Sequence, residues 1–172
     1  MSCRSRARLD RSRRWLTVLV VAAALGACER DATPPAKVVV IEAPHLDDPV
    51  PWIRDRLAEN RDRQVLVYIG ATWCDPCRRF HEAVTAGQLD AAFPHLTLLV
   101  FDQDRDGDGL LRAGYTSEYI PLFVRPAPDG TATTHLIQGA EKGDDAVASI
   151  TPRLRKLLGM PALAPAPPAA RQ

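Results

Sequence analysis

Two cysteines, Cys74 and Cys77, are separated by Asp75 and Pro76 in this chain of 172 residues. A cysteine attacks or binds metal as its thiolate. Two at this spacing can exchange with a disulfide, one sulfur attacking and the second resolving the mixed disulfide. A helix beginning at Cys74 serves that chemistry, because its unpaired N–H groups and dipole favour negative charge there. Cys77 then falls one turn later on the same side. Pro76 suits a first helical turn, having no N–H to lose. The spacing predicts an attacking Cys74, with a thiol pKa below the ~8.5 of a free cysteine. It predicts a more buried Cys77 that stays protonated until its own step. Two other uses compete. Zinc normally takes four protein ligands, and here the nearby extra ligand is His81, four residues after Cys77. A copper or zinc carrier built on Cys74, Cys77 and His81 is therefore the alternative function. An inert staple is the other, but so short a loop removes little chain entropy.

The elements around the pair are legible from hydropathy. Val65–Ile69 is a continuous apolar run, as in a buried central strand, and it leads into the cysteines. A helix is expected from about Asp75 to Ala86, ended by Gly87. Leu96–Phe101 reads as a second buried strand, and 109–115 as a short helix. Leu122–Arg125 and Thr133–Ile137 flank Pro128-Asp129-Gly130, which predicts an antiparallel hairpin. Asp144–Leu158 carries Val147, Ile150, Leu154 and Leu157 at helical spacing. Upstream, Val38–Ile41 could form a first strand, and Asp48-Pro49 opens a helix through about Asn60. The length suits one domain plus tails, since a domain takes ~100–150 residues.

Ala71-Thr72-Trp73-Cys74-Asp75-Pro76-Cys77, set between a strand and a helix, strongly resembles the active site of the thioredoxin family. Ile120-Pro121 matches the family's cis-proline segment, which faces the dithiol at the start of a strand. Phe101-Asp102-Gln103, Gly130 and Gly139 follow in family order, so the resemblance covers about residues 60–158. It implies an α/β thioredoxin-like fold, a central mixed β-sheet flanked by helices, with the domain taken as 45–159. It implies a thiol–disulfide oxidoreductase acting on protein disulfides, read here as a reductase, with Cys74 and Cys77 catalytic; oxidation would use the same residues, the direction depending on reduction potential relative to partners. Trp73, Pro76, Ile120 and Pro121 would form the substrate-binding surface. No organic cofactor or metal is implied. Two positions depart from the family. Tyr68 stands where thioredoxins bury an aspartate, and Leu98 where its lysine partner lies, so proton handling must differ. In Tyr68 the chain resembles the exported thioredoxin-like reductases.

The N-terminus carries a second resemblance. Six arginines precede Trp15, and residues 15–27 form a short apolar run, the pattern of a secretory signal. Leu25-Gly26-Ala27-Cys28 resembles the lipobox of bacterial lipoproteins, in which the cysteine is lipidated and becomes the first mature residue. Residues 1–27 are thus expected to be a signal peptide, 28–44 a tether and 160–172 a disordered Pro/Ala-rich tail. Glu29 in place of an aspartate leans towards the outer membrane. The expected location is the periplasmic side of a bacterial cell envelope, with a membrane protein donating thiol electrons to a monomeric domain. Ser12-Arg13-Arg14-Trp15-Leu16 also resembles a twin-arginine signal, but the strongly apolar core suits an ordinary leader.

Six of the 22 basic residues and one of the 21 acidic ones precede Cys28, leaving 16 against 20. That mildly acidic balance excludes a nucleic-acid partner, which needs a concentrated basic stripe. Asp102, Asp104 and Asp106 imitate half of an EF-hand, but Ala113 occupies the position of the closing acid. Residues 104–109 are therefore expected to be an acidic loop insertion. Arg78 and Arg79 either bias substrate choice or lie on a solvated face. His81 is expected on the helix surface, and His45, His95 and His135 share no catalytic pattern.

Overall fold

The structure, a computed structural model, describes residues 37–163. The leader, the lipobox with Cys28 and the tail beyond 163 lie outside the described residues. Nine elements follow one another: β1 (Val39–Glu42), α1 (Val50–Glu59), β2 (Gln64–Gly70), α2 (Asp75–Thr85), β3 (Leu96–Asp102), α3 (Gln103–Arg112), β4 (Leu122–Val124), β5 (Leu136–Gln138) and α4 (Asp145–Leu157). The five strands form one mixed sheet in the order β1-β3-β2-β4-β5. β1 and β2 run parallel to β3, whereas β4 is antiparallel to both β2 and β5.

Alternation along β2 explains the layering, since successive strand residues face opposite sides. Leu66 and Tyr68 join Phe80 of α2 and Ile150 and Leu154 of α4 in one buried cluster. Val65, Val67 and Ile69 join Ile53 of α1 and Leu110 of α3 in the other. With both faces covered, β2 has no polar alternation, which is why its sequence is a continuous apolar run. Among the described residues, no helix is long and apolar enough to cross a membrane.

Three expectations need correction. The tether does not reach residue 44, because Val39–Glu42 is the edge strand β1, paired from Val39↔Thr97 to Glu42↔Val100. Ala43 is buried, and its N–H donates to Val100 O at 2.8 Å. An apolar run beside the open edge of β3 gains both a hydrogen-bond ladder and burial.

The acidic stretch 104–109 is helix, not loop. Asp102 caps α3 by accepting from the Asp104 and Arg105 N–H groups at 2.9 and 3.0 Å. Asp104 and Asp106 lie in its first turn, where the dipole favours acids. Gly109 lets this helix lie against the chain: a β-carbon there would stand 2.8 Å from Leu46 O. The last strand starts at Leu136 rather than Thr133, because the Thr133 hydroxyl turns back to donate to Arg125 O at 2.6 Å.

Asp106 ties α3 down. It is 4% exposed, and it accepts from Arg105 at 2.7 Å, from the Asp102 N–H at 3.0 Å and from His45 at 3.3 Å. Burial would raise its pKa, but the Arg105, Asp102 and His45 hydrogen bonds outweigh burial and hold the carboxyl below the usual range. A depressed folded-state pKa supplies stability above the unfolded value of ~3.9, lost as pH falls through the folded one. Asp106→Asn should therefore cost about 1–3 kcal/mol at neutral pH. In urea titrations at decreasing pH, the gap to wild type should close through that acid window. A gap that stays constant with pH would show that the Asp106 charge adds nothing.

Candidate active site

β2 ends at Gly70 and delivers Cys74 to the start of α2 within four residues. Cys74 is the N-cap of that helix: its backbone is extended, and its sulfur accepts from the Cys77 N–H at 3.3 Å. The cap forms because the turn is tight, with the Cys74 N–H donating to Ala71 O at 3.2 Å. Pro76 sits in the first helical turn, where a missing N–H costs nothing. Cys74 and Cys77 are joined in a disulfide with S–S 2.05 Å and Cα–Cα 5.3 Å. Both are buried, at 5% and 2% exposure.

The cysteines pack with Ala71 and Ile120. The Ile120-Pro121 peptide bond is cis, and Ile120 O lies 3.8 Å from Cys74 Sγ. Pro121 O accepts from the Gly139 N–H at 2.9 Å, which fastens this segment to the end of β5. Trp73 is 66% exposed beside the pair. Trp73, Cys74, Pro76, Cys77, Ile120 and Pro121 thus come from two distant stretches of chain and meet at one end of the sheet.

Two supporting contacts had no signal in the sequence. The Trp73 indole N–H donates to Asp104 of α3 at 2.8 Å. Asp75 accepts from the Gly143 N–H and from Arg78, each at 2.8 Å, and from Arg79 at 3.2 Å. Its carboxyl is held below the usual range, chiefly by Gly143 and then by Arg79, against an opposing effect of burial. Arg79 also reaches Asp144 at 2.8 Å. Asp75 and Arg79 thus brace the dithiol helix against the segment before α4, while Arg78 pairs within α2 with Asp75 and Glu82. A charged residue between two cysteines looks ordinary until the fold brings residue 143 alongside.

Behind Cys77 lies Tyr68. Its hydroxyl donates to Cys77 O at 3.0 Å, and its ring stacks on Phe123 at 4.9 Å. Burial, and then the charge of Glu42, push the phenol pKa up, so it stays a neutral donor. Gly70 makes room for it: a β-carbon there would lie 2.9 Å from the Tyr68 oxygen and 3.3 Å from Cys77 Cβ. The phenol holds the helix backbone from behind.

Strand order, helices on both sheet faces, a capping Cys-x-x-Cys and a cis-proline against it decide the architecture. The fold is thioredoxin-like. No protein-family model and no curated protein matches the chain. Among solved structures, it is similar to reduced thioredoxin pre-protein of Schistosoma mansoni, at 21% identity over 69% of this chain and 98% of that one, TM-score 0.45. Thioredoxin of Trichomonas vaginalis shares 25% identity over 59% and 85%, with TM-score 0.41. Thioredoxin of Trypanosoma brucei brucei shares 16% over 74% and 96%, with TM-score 0.44. The thioredoxin-like assignment rests on the topology and the site.

Among the described residues, no group of three His, Cys, Asp or Glu could hold a metal ion. Cys74 and Cys77, two of the three residues of the alternative carrier, are joined to each other in a disulfide. His45 holds a structural place on Asp106. His95 and His135 contribute backbone carbonyls to Gln64 and Arg125.

The Tyr68 contact makes a stability prediction. Tyr68→Phe should cost about 1 kcal/mol for the lost hydrogen bond. Gly70→Ala should cost more, because the new methyl must displace either the Tyr68 hydroxyl or α2. Chemical denaturation of the oxidised proteins measures both, and a Gly70→Ala variant as stable as wild type would show that the fit is loose.

Proposed function

We propose that this chain reduces disulfides in proteins of a bacterial cell envelope. The observation that carries the reading is the Cys74–Cys77 disulfide at the N-terminus of α2, with Cys74 Sγ 3.8 Å from the carbonyl that precedes cis-Pro121. Once the pair is reduced, the Cys77 N–H now donating to Cys74 Sγ at 3.3 Å is placed to hold a thiolate. That thiolate attacks one sulfur of a substrate disulfide and expels the other as a thiol. Cys77 then attacks Cys74 Sγ, re-forms the internal disulfide and releases the second substrate sulfur. Two electrons pass from the dithiol to the substrate, and a donor dithiol must return them. In an oxidising compartment that donor has to draw on reducing power from across the membrane, so a membrane protein relaying thiol electrons suits the role. Trp73, Ile120 and Pro121 offer an extended substrate an apolar contact and backbone beside the sulfur.

The envelope location and lipid tether rest on the leader and on Leu25-Gly26-Ala27-Cys28. Two or more acyl chains at Cys28 would anchor durably, where a single chain binds only marginally. The tether would end before β1, leaving the domain to act as a monomer off the membrane. Glu29 leans towards the outer membrane. Cys28→Ala should abolish lipid labelling in a bacterial host and slow leader removal. A mature wild-type protein starting elsewhere and carrying no lipid would overturn the anchor.

Separate replacement of the two cysteines tests the exchange itself. Cys74→Ser should lose all disulfide reduction. Cys77→Ser should still attack and then accumulate as a mixed disulfide, seen on a non-reducing gel of envelope extract as high-mass species that vanish with reductant. Adducts confined to the Cys74→Ser variant would reverse the roles. Wild-type activity in either variant would sink the dithiol mechanism.

A further inference from the structure

Resolution of the mixed disulfide needs a base, because Cys77 is 2% exposed and burial favours the neutral thiol. Tyr68 cannot take its proton, being a phenol that donates to Cys77 O. Asp75 is committed on both carboxylate oxygens, to the Gly143 N–H and to Arg78 and Arg79. The proton must leave by another path.

Cys77 lines a cleft of about 410 Å³ between the sheet and α2. The charged or titratable groups around it are Glu42 of β1, Tyr68 of β2, Asp102 at the end of β3, Arg105 of α3, and Arg78 and His81 of α2. Arginine does not act as a base in proteins. Asp102 caps α3 through Oδ1 alone, which leaves it as a competing carboxylate for the test below. Glu42 stands in the same cross-strand row as Tyr68 but two strands away, with Val100 between them, a separation of roughly 10 Å at ~4.8 Å per strand. His81 is one helical turn from Cys77, and side chains so spaced are neighbours, with Cβ atoms about 5–6 Å apart. It is half-buried. Its carbonyl accepts from the Thr85 hydroxyl at 3.0 Å, a bond that leaves the ring uncommitted.

We infer that His81 is the proton acceptor for Cys77 in the resolving step, directly or through one water in the cleft. The inference rests on the exchange mechanism above. The Cys77 thiol gives its proton to the imidazole, and the thiolate attacks Cys74 Sγ. The Cys74–substrate bond breaks, and the leaving sulfur departs as a thiolate with the electron pair. The imidazolium then returns its proton to the departing sulfur or to solvent. Histidine suits this task because it changes between acceptor and cation near neutral pH. Glu82, next to His81, is drawn towards Arg78 at 3.7 Å.

Stopped-flow reaction of the reduced protein with 5,5′-dithiobis(2-nitrobenzoate) separates the two steps. The first coloured thiolate reports attack by Cys74, and the second reports resolution by Cys77. Wild type should give both, the second levelling off at alkaline pH and slowing in acid as the base is protonated. His81→Gln should leave the first release within about twofold and slow the second on the order of 10²-fold at neutral pH. Its rate should then follow hydroxide across the whole range without levelling off, because only the rare Cys77 thiolate is left to attack, and added imidazole should restore part of the rate. Glu42→Gln and Asp102→Asn should keep the wild-type profile. A second release in His81→Gln with the wild-type rate and profile would overturn the inference. So would loss of the levelling in Glu42→Gln or Asp102→Asn alone, which would make that carboxylate the base. A wild type that releases only one thiolate would overturn the exchange mechanism itself.

Discussion

An attacking sulfur has to sit where negative charge is welcome and where a second sulfur can follow it, and one backbone N–H meets both demands. The Cys77 N–H reaches Cys74 Sγ at 3.3 Å because Cys74 caps α2 while Cys77 sits in that helix's first turn. Much of the domain serves to hold this cap. β2 is buried on both faces, so the exit point of the chain at Gly70 has little freedom to shift. α2 is fastened from below by Phe80 in the core and from the side by Asp75 on the Gly143 N–H. The cis Ile120-Pro121 segment closes the remaining side of the sulfurs and is itself tied to Gly139.

The region behind Cys77 shows how one substitution reshapes its neighbours. An aromatic ring at position 68 needs a partner for its hydroxyl and room beside the helix. Cys77 O provides the partner, Phe123 the stacking surface and Gly70 the space. The resulting wall is apolar and neutral, because burial disfavours ionisation of the phenol. Charged groups are displaced to the rim of the cleft, on β1, α3 and the exposed side of α2. Proton traffic to the resolving sulfur then becomes a matter for the rim rather than for a buried carboxylate.

The acidic segment after β3 is tied to the same site. Asp102 starts α3, Asp106 locks it to His45 and to the Asp102 N–H at the end of β3, and Asp104 holds the Trp73 indole at 2.8 Å. Three aspartates that look like part of a cation loop thus perform three different structural tasks. Each is satisfied by N–H donors or cations of the protein itself.

Local chemistry determined a great deal in advance. The continuous apolar runs of β2 and β3, the Gly87 stop after α2, the turn at Asp129-Gly130 and the cysteine pair at a helix start all follow from hydropathy period and backbone preference. These signals operate over a few residues, so a linear sequence carries them whole. The family pattern around Trp73 and Pro121 added the architecture and paired two segments that local reading leaves apart. What only the tertiary structure decided were contacts between residues far apart in the chain. β1 is legible as an apolar run, but its partner, the edge of β3, is not. Residues 103–112 are a helix because Asp102 caps them and Gly109 lets them lie on Leu46. Asp75 meets Gly143, Trp73 meets Asp104, and His81 shares a cleft with Glu42, for the same reason. A polar side chain is compatible with many partners, and the one it receives is chosen by packing of the apolar core, which no local pattern encodes.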